Sequence, residues 1–491
     1  MKYRHDPDGA RLPIKLDATT NGEFAPVPLE PVHRYARHLA LEAATSHARR
    51  VGQSRRAFLV SACGAATALL GMNAAYASAG GRRGGYFELD ADAALDLQLA
   101  RSALDTGEFI FDVQGHFVNP TGAWTNALPP DAQPLLSFAK NKSCDAASRP
   151  GRDYLQCLDS DAFIKDVFLD SDTDLVVLSF VPSTRRGEPL TIEEAAATAR
   201  IVETMKGTHR LLLHGRVNPN QAGDLEGMDM LAERYRIAAW KTYTQWGPEG
   251  KGFFLDDDVG LAFIEKARKL GIRNIAIHKG LPFDAQSYEH STCVDVGRVA
   301  KRYPDVNFLI YHSGFVPGKP ERVYDAQRSD GIDALCTSLR EAGVKPGANV
   351  YAELGSTWRF LMRDPDSAAH ALGKLFQFVG EDNVLWGTDS IWYGSPQDQI
   401  QAFRTFQIAD ELVAHHGYPK ITPALRAKVF GRNALRVYKI SDDVLRQHMP
   451  KDKVAQDRLD YRERADPTFL TRGPKTRREF LNLLAWSGRA G

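Results

Sequence analysis

The sequence predicts an α/β protein of the (β/α)8 TIM-barrel class, with a long insertion after the first strand and a helical C-terminal tail. Two observations support this prediction. Eight short runs rich in β-branched and aromatic residues occur between about residues 105 and 440, and segments with helical periodicity separate them. Eight is the number of parallel strands that closes such a barrel.

The eight predicted strands are, in chain order, FIFDV (109–113), LVVLSF (175–180), LLLHGRV (211–217), AAWKTY (238–243), NIAIH (274–278), FLIYH (308–312), VYAEL (350–354) and VLWGT (384–388). An open doubly wound sheet is the alternative architecture. It would need a glycine-rich phosphate-binding turn after its first strand. The segment FDVQGHF (111–117) contains one glycine and no such turn, which favours the barrel.

Helical patterns fall between the strands, where crossovers are required. Thr191 is followed three residues later by Glu194, a capping-box pattern that predicts a helix start. Another helix is predicted to begin at Asp366 as its N-cap and to end at Gly380.

The chain divides into four predicted segments. Residues 1–79 form a polar leader with a signal-like segment, residues 80–104 a helical lead-in, residues 105–440 the barrel and residues 441–491 a charged helical tail. Within the barrel, residues 118–172 form the insertion, which would open on the catalytic face and could act as a lid. The tail is expected to pack on the barrel or on a neighbouring subunit, which leaves a homodimer open.

Composition excludes several classes of protein. With 491 residues, 43% of them hydrophobic, the chain can build a large core. A formal net charge of +1 has no large excess of either sign, so neither a nucleic-acid binder nor a polyanion-binding surface is indicated. Five cysteines without a CxxC pair argue against a zinc ribbon, although Cys144 and Cys157 could form one bridge in an oxidising compartment.

The leader contains the sequence SRRAFLV (54–60), an alanine-rich apolar run and the small-residue string AYASAG. This pattern matches a twin-arginine export signal with cleavage after Ala77 or Ala79, and predicts a periplasmic or otherwise exported protein that interacts with the twin-arginine machinery. An uncleaved membrane anchor is the alternative, because the apolar run approaches the roughly 20 residues that span a bilayer. Ser61, Gly64 and Asn73 make it a poor anchor.

Polar residues gather at the C-terminal ends of the predicted strands, where a barrel carries its chemistry. These residues are Asp112, Gln114, His116, His214, Lys241, His278, His312, Glu353 and Asp389. A single histidine at a strand end, such as His214, is more often a structural hydrogen-bonding group than a metal ligand. Several imidazoles together with a carboxylate are the ligands of a divalent transition metal with open coordination positions.

The motifs FDVQGHF, IAIHKG, LIYHSG and LWGTDS resemble the amidohydrolase superfamily, which carries its H-x-H pair, two later histidines and an aspartate on strands one, five, six and eight. The resemblance is greatest to the amidohydrolase-related branch that includes aminocarboxymuconate-semialdehyde decarboxylase. FGRNALRVY (430–438) also resembles the terminal helix of that branch. The resemblance covers roughly residues 105–440.

This resemblance implies that His116, His278 and Asp389 bind one divalent metal ion, Zn²⁺ or Mn²⁺. It also implies that His312 activates water or polarises the substrate, and that Asp389 is a general acid and base as well as a ligand. Gln114 stands where the first histidine of H-x-H normally stands. Its amide oxygen is a weaker ligand that suits harder cations such as Mn²⁺. Gln114 is then a weak ligand, or the metal is bound loosely, or it is absent.

Four further residues are candidates for substrate binding. Lys241 resembles the bridging carbamylated lysine of dinuclear members, but without the full H-x-H pair a substrate-facing or ion-pairing role is favoured. Arg359 could bind a substrate carboxylate with both ends of its guanidinium, or form a salt bridge. Glu353 could pair with either cation, and Trp392 could form an aromatic wall.

These observations leave three possible functions, and the first two act on a small-molecule substrate. The first is a metal-dependent hydrolase, in which a metal-activated water attacks a carbonyl-type centre. The alternative is a nonoxidative metal-dependent decarboxylase of an aromatic or unsaturated carboxylic acid. The third is a noncatalytic exported barrel.

Overall fold

Eight parallel strands form one sheet in the order in which they occur in the chain, which confirms the predicted barrel. The structure, a computed structural model, describes residues 3–80, 84–126, 157–204, 209–283, 286–441, 443, 445 and 449–486. The barrel strands are β2 (Phe111–Gly115), β3 (Leu175–Leu178), β4 (Leu211–Arg216), β5 (Ile237–Tyr243), β6 (Asn274–His278), β7 (Asn307–Tyr311), β8 (Val350–Glu353) and β9 (Val384–Leu385). A separate antiparallel pair consists of β1 (Gly85–Phe87) and β10 (Phe406–Ile408).

The helices are α1 (Pro31–Arg50), α2 (Arg55–Val60), α3 (Ala62–Ser78), α4 (Leu97–Leu104), α5 (Ser160–Phe163), α6 (Ile192–Thr204), α7 (Asp224–Arg234), α8 (Asp258–Lys269), α9 (Val296–Arg302), α10 (Gly331–Ala342), α11 (Thr357–Leu361), α12 (Pro365–Leu375), α13 (Gln397–Thr405), α14 (Asp410–His416), α15 (Pro423–Ala427), α16 (Asn433–Tyr438), α17 (Lys453–Arg462) and α18 (Arg477–Trp486). The predicted capping box precedes α6, where the Thr191 and Glu194 side chains each accept the other's backbone N–H. The predicted cap of α12 is wrong. Asp364 is the N-cap, because its side chain accepts from Ser367 N at 3.2 Å.

The barrel closes between β2 and the chain that follows β9. Val113 N donates to Trp386 O at 3.0 Å, and Asp389 N donates to Gln114 O at 2.9 Å. Strand β9 is shorter than the predicted run 384–388. The Glu353 side chain lies against Gly387, where an added Cβ would be 1.6 Å from Glu353 Oε1. Position 387 therefore has room for a glycine only, beside the Glu353 side chain.

The leader packs into the fold. Helices α1 and α3 lie against each other, with Ala36, Ala40, Ala44 and Ala48 buried at every fourth position of α1. Gly71 of α3 approaches α1 so closely that a Cβ there would lie 3.2 Å from Ala40 Cβ. Small residues on both faces therefore set the short distance between the two helices.

The arginine pair of the signal-like segment begins α2. Arg56 is 1% exposed, and its Nη2 lies 3.3 Å from Asp466 Oδ1 of the C-terminal tail. Among the described residues, none of the helices combines the length and apolar character that a membrane span needs. Export by the twin-arginine route and cleavage of the signal stay predictions.

The C-terminal tail packs on the barrel. Arg210, just before β4, pairs with Asp452 at 2.6 Å, and Arg472 pairs with Asp166 at 2.6 Å. Most of the predicted insertion after β2, including Cys144, lies outside the described residues. Cys157, which belongs to the same predicted insertion and is described, is disulfide-bonded.

We predict that Ala40→Leu lowers the free energy of unfolding by about 1–3 kcal/mol, because the added atoms overpack the contact with α3. Urea unfolding followed by fluorescence measures this change. Ser46→Leu, at an exposed position of the same helix, is the matched control and should leave stability unchanged. Equal stability of the two variants would contradict the packing of α1 on α3.

Candidate metal centre

Five residues selected from the sequence meet at the C-terminal end of the barrel. Gln114 Nε2 lies 3.3 Å from His116 Nε2, 3.1 Å from Asp389 Oδ1 and 3.5 Å from His312 Nε2. His312 Nε2 lies 3.2 Å from His278 Nδ1, and His116 Nε2 lies 3.1 Å from Asp389 Oδ1. All five side chains are at most 3% exposed. They form one contiguous buried cluster.

Backbone strain is concentrated where these residues leave their strands. The backbone φ angles of His312, Ser356 and Asp389 are 67°, 52° and 57°, in the left-handed region that non-glycine residues avoid. Such positions cost about 1–3 kcal/mol each and persist where the surrounding structure enforces them, often at functional sites. The predicted strand that ended at His312 therefore ends one residue earlier, at Tyr311.

The protonation of the histidines suits a metal. Burial lowers the pKa of His312 to about 4 and holds the pKa of His278 well below its usual range. His312 Nδ1 lies 2.7 Å from Gly355 O, so this nitrogen carries the hydrogen and Nε2 is left as a lone-pair donor facing the cluster. Neutral imidazoles with a free lone pair are what metal binding requires.

One buried atom of the cluster also fits a metal. Gln114 Oε1 has no hydrogen-bond partner in the described part of the chain. Turning the Gln114 amide by half a rotation would exchange its ends and bring Oε1 towards His116, His312 and Asp389. The donor set of imidazoles, carboxylate and amide oxygen therefore suits one divalent ion.

Asp389 is held on both carboxylate oxygens. Burial alone would raise its pKa, but the hydrogen bond and charge of His116 outweigh burial, so the pKa of Asp389 is lowered. Ser356 Oγ donates to Oδ2 at 2.5 Å. The carboxylate is therefore kept ionised, with Oδ1 facing His116.

Two residues that sequence reasoning missed also reach this cluster. Asn21 Nδ2 donates to Asp389 Oδ2 at 2.8 Å and to Glu23 Oε2 at 2.5 Å. Glu23 joins His278 and His312 in a group whose ligand atoms lie within 4.8 Å of one another. No local motif marks residues 21–23, because their role depends on a contact with a residue 368 positions away.

Lys241 is close to the same charges. Its ammonium is fully buried, lies 3.8 Å from the centre of the Tyr311 ring and 4.7 Å from that of Tyr243, and has no hydrogen-bond acceptor among the described residues. Burial lowers the pKa of Lys241 to about 7, although the negative charges of Glu353, Glu23 and Asp389 raise it.

The other substrate-binding candidates have defined contacts. Arg359 donates to Lys15 O at 2.8 Å and pairs with Asp17 at 2.9 Å. Its guanidinium therefore forms a salt bridge within the protein, and this salt bridge is buried rather than at the surface. Glu353 accepts from His312 N at 3.0 Å, and burial raises the pKa of Glu353 to about 8. The Trp392 ring centre lies 6.5 Å from that of His116.

His214 has the structural surroundings expected of a single strand-end histidine. Its Nδ1 lies 3.1 Å from Ser179 Oγ, and its Nε2 lies 3.3 Å from the Tyr311 hydroxyl. Both ring nitrogens are therefore within reach of a hydrogen-bonding partner.

The chain belongs to the amidohydrolase family, because the model of that family matches residues 111–440. Its barrel also resembles solved structures. A 5-carboxyvanillate decarboxylase from Sphingomonas paucimobilis is 15% identical over 68% of this chain and 100% of that chain, with a TM-score of 0.43. A 2,6-dihydroxybenzoate decarboxylase from Rhizobium is 15% identical over 68% of this chain and 99% of that one, with a TM-score of 0.37.

A 5-carboxyvanillate decarboxylase from Novosphingobium aromaticivorans, solved with bound manganese, is 14% identical over 68% of this chain and 98% of that one, with a TM-score of 0.42. Sequence identities of 14–15% do not show that this chain catalyses the reactions of those proteins. No curated protein matches the sequence.

We predict that Lys241→Met stabilises the metal-free protein most at low pH. Below pH about 7 the folded protein holds a buried charged ammonium, and Met removes that penalty, which is on the order of a few kcal/mol. Between pH about 7 and the ordinary lysine value of 10.5, the unfolded state binds more protons than the folded state. The stability of the wild type therefore rises across this window and the advantage of Met shrinks.

Urea unfolding of chelator-treated protein at several pH values measures this difference. Lys269→Met, at an exposed position of α8, is the control and should show no such pH dependence. A difference between Lys241→Met and wild type that stays constant with pH would show that Lys241 is not a desolvated ammonium.

Proposed function

We propose that this amidohydrolase-family protein is a metal-dependent nonoxidative decarboxylase of a small aromatic or unsaturated carboxylic acid. The observation that carries the proposal is the buried Lys241 ammonium, which has no hydrogen-bond acceptor among the described residues beside the cluster. A buried charge without a partner is costly unless a ligand completes it. A substrate carboxylate is a partner with the matching charge, beside an ammonium that otherwise contacts the rings of Tyr243 and Tyr311.

The burial of the cluster supports decarboxylation over hydrolysis. A site whose residues are at most 3% exposed provides a poorly solvating environment. Such an environment raises the energy of a localised carboxylate more than that of a transition state with dispersed charge.

When bound, the divalent metal supplies a Lewis acid that orients and polarises the substrate. His116, His278 and Asp389 would hold it, with Gln114 as a weaker ligand. The mixture of carboxylate, amide and imidazole donors suits Mn²⁺ as well as Zn²⁺.

The residues of the chain perform the rest of the reaction. Lys241 pairs with the substrate carboxylate and places the scissile carbon–carbon bond in the cluster. Asp389 Oδ1 faces the cluster and carries the transferred proton, which it takes up from solvent once the substrate is bound. As the carbon–carbon bond breaks, its electron pair stays on the substrate carbon, which takes this proton, and carbon dioxide leaves. Asp389 is then ionised again, as it is in the substrate-free protein.

We expect the Mn²⁺-loaded protein to release carbon dioxide from a member of a panel of hydroxylated aromatic carboxylates. Asp389→Asn should lower kcat by at least about 100-fold, because the amide cannot deliver the proton. Lys241→Met should raise KM, while Lys269→Met should not. Coupled measurement of carbon dioxide and product analysis by mass spectrometry check both effects.

The same assay separates the competing functions. A panel of lactones and amides that yields a new acid or alcohol without carbon dioxide would replace this proposal with the metal-dependent hydrolase. A well-folded preparation that binds no divalent metal would contradict both enzymes and leave the noncatalytic barrel.

A further inference from the structure

An irregular segment near the start of the chain, residues 12–24, lies over the C-terminal end of the barrel and is called the strap. Lys15 forms a buried ion pair with Asp398 at 3.0 Å. Asp17 pairs with Arg359 at 2.9 Å, and the Phe24 ring centre lies 5.4 Å from that of Phe360. These contacts tie the strap to the segments that follow β8 and β9.

The C-terminal tail holds the strap from the other side. Thr19 Oγ1 donates to Thr471 Oγ1 at 2.7 Å, and Thr471 Oγ1 donates to Asp17 Oδ2 at 2.6 Å. Thr20 N donates to Pro474 O at 3.0 Å. The strap is therefore fixed between the barrel and the tail, and its position over the cluster is determined on both sides.

The end of the strap inserts two side chains into the cluster. Glu23 is 8% exposed, and its Oε2 lies 3.8 Å from His278 Nε2. The Asn21 Nδ2 amide group donates to both Glu23 and Asp389. These two hydrogen bonds keep the two carboxylates next to each other. The charges of both carboxylates also act on the Lys241 ammonium, so the strap adds negative charge to the cluster.

We infer that Glu23 is a metal ligand, supplied by the N-terminal strap to a centre in which Gln114 takes the place of an imidazole. The ligand atoms of Glu23, His278 and His312 already lie within 4.8 Å of one another. A carboxylate supplies the negative charge and the strong oxygen donor that an amide lacks. Asn21 is a positioning residue that sets the Glu23 and Asp389 carboxylates. This inference rests on the metal centre of the proposed function.

A metal centre that includes Glu23 requires an uncleaved leader. Cleavage after Ala77 or Ala79 would remove the strap and with it Glu23. The chain that carries the metal centre therefore keeps its first 79 residues. The intact mass of the protein purified from its natural source reports whether these residues are retained.

The direct test is titration of Mn²⁺ alone into the metal-free, full-length protein, followed by calorimetry and electron paramagnetic resonance. Glu23→Gln keeps the shape of the side chain and an oxygen that can accept from Asn21, but removes the charge. It should weaken Mn²⁺ binding by about 10- to 100-fold, the range seen when metal sites lose a supporting group. Asp8→Asn removes the same charge from an exposed position ahead of the strap and should leave the Kd unchanged.

The electron paramagnetic resonance spectrum at saturating Mn²⁺ gives a readout that does not depend on affinity, because it reports the ligands of the bound ion. We expect the spectrum of saturated Glu23→Gln to differ from that of wild type, and the spectrum of saturated Asp8→Asn to match it. Identical spectra of saturated Glu23→Gln and wild type, or a Kd of Glu23→Gln equal to that of wild type, would overturn the inference.

The outcomes distinguish this inference from the proposed function. Carbon dioxide release with unchanged Mn²⁺ affinity in Glu23→Gln would reject Glu23 as a ligand and keep the decarboxylase. If Glu23→Gln is also more active than wild type, Glu23 occupies the position of the substrate carboxylate instead. Weakened Mn²⁺ binding in Glu23→Gln, with no decarboxylation of any substrate by wild type, would keep the ligand and reject the reaction.

Discussion

The removal of imidazole and carboxylate groups from water at the C-terminal end of the barrel is the constraint on which the rest of this structure depends. Gln114, His116, His278, His312 and Asp389 are at most 3% exposed, and each buried polar atom there needs a partner. Hydrogen bonds from Ser356 and Asn21 satisfy one oxygen of Asp389, and Gly355 O satisfies one nitrogen of His312. The atoms that have no such partner among the described residues point to what the cluster would bind.

The same constraint explains why the two ends of the chain meet. A barrel leaves its C-terminal end open, and here the strap and the tail cover it together. Thr19 and Thr471 are 452 positions apart and share a hydrogen bond, and Arg56 of the leader pairs with Asp466 of the tail. The strap reaches the cluster through Asn21 and Glu23, and the tail holds the strap in place. The leader and the tail are thus part of one folded unit with the barrel.

Much of the barrel could be predicted from the sequence, because alternation of short apolar strands with helical patterns is a local signal. The positions of His116, His278, His312 and Asp389 followed from the same signal, since the C-terminal ends of parallel strands share one face. The ends of strands were less predictable. Strand β9 ends at Leu385, two residues before Gly387 packs against the Glu353 side chain, and His312 leaves β7 with a positive φ angle. The roles of Asn21 and Glu23 could not be predicted, because they arise from a tertiary contact that no local pattern encodes.

The central claim is that the barrel and the N-terminal strap together build one metal centre. The measurement that tests it most directly is an anomalous difference map, recorded at the manganese edge, from crystals of the full-length protein loaded with Mn²⁺. We expect a single peak within bonding distance of the Glu23 carboxylate as well as of His116, His278 and Asp389. A peak coordinated by barrel residues alone, with the strap displaced, or no peak in the cluster at all, would contradict it.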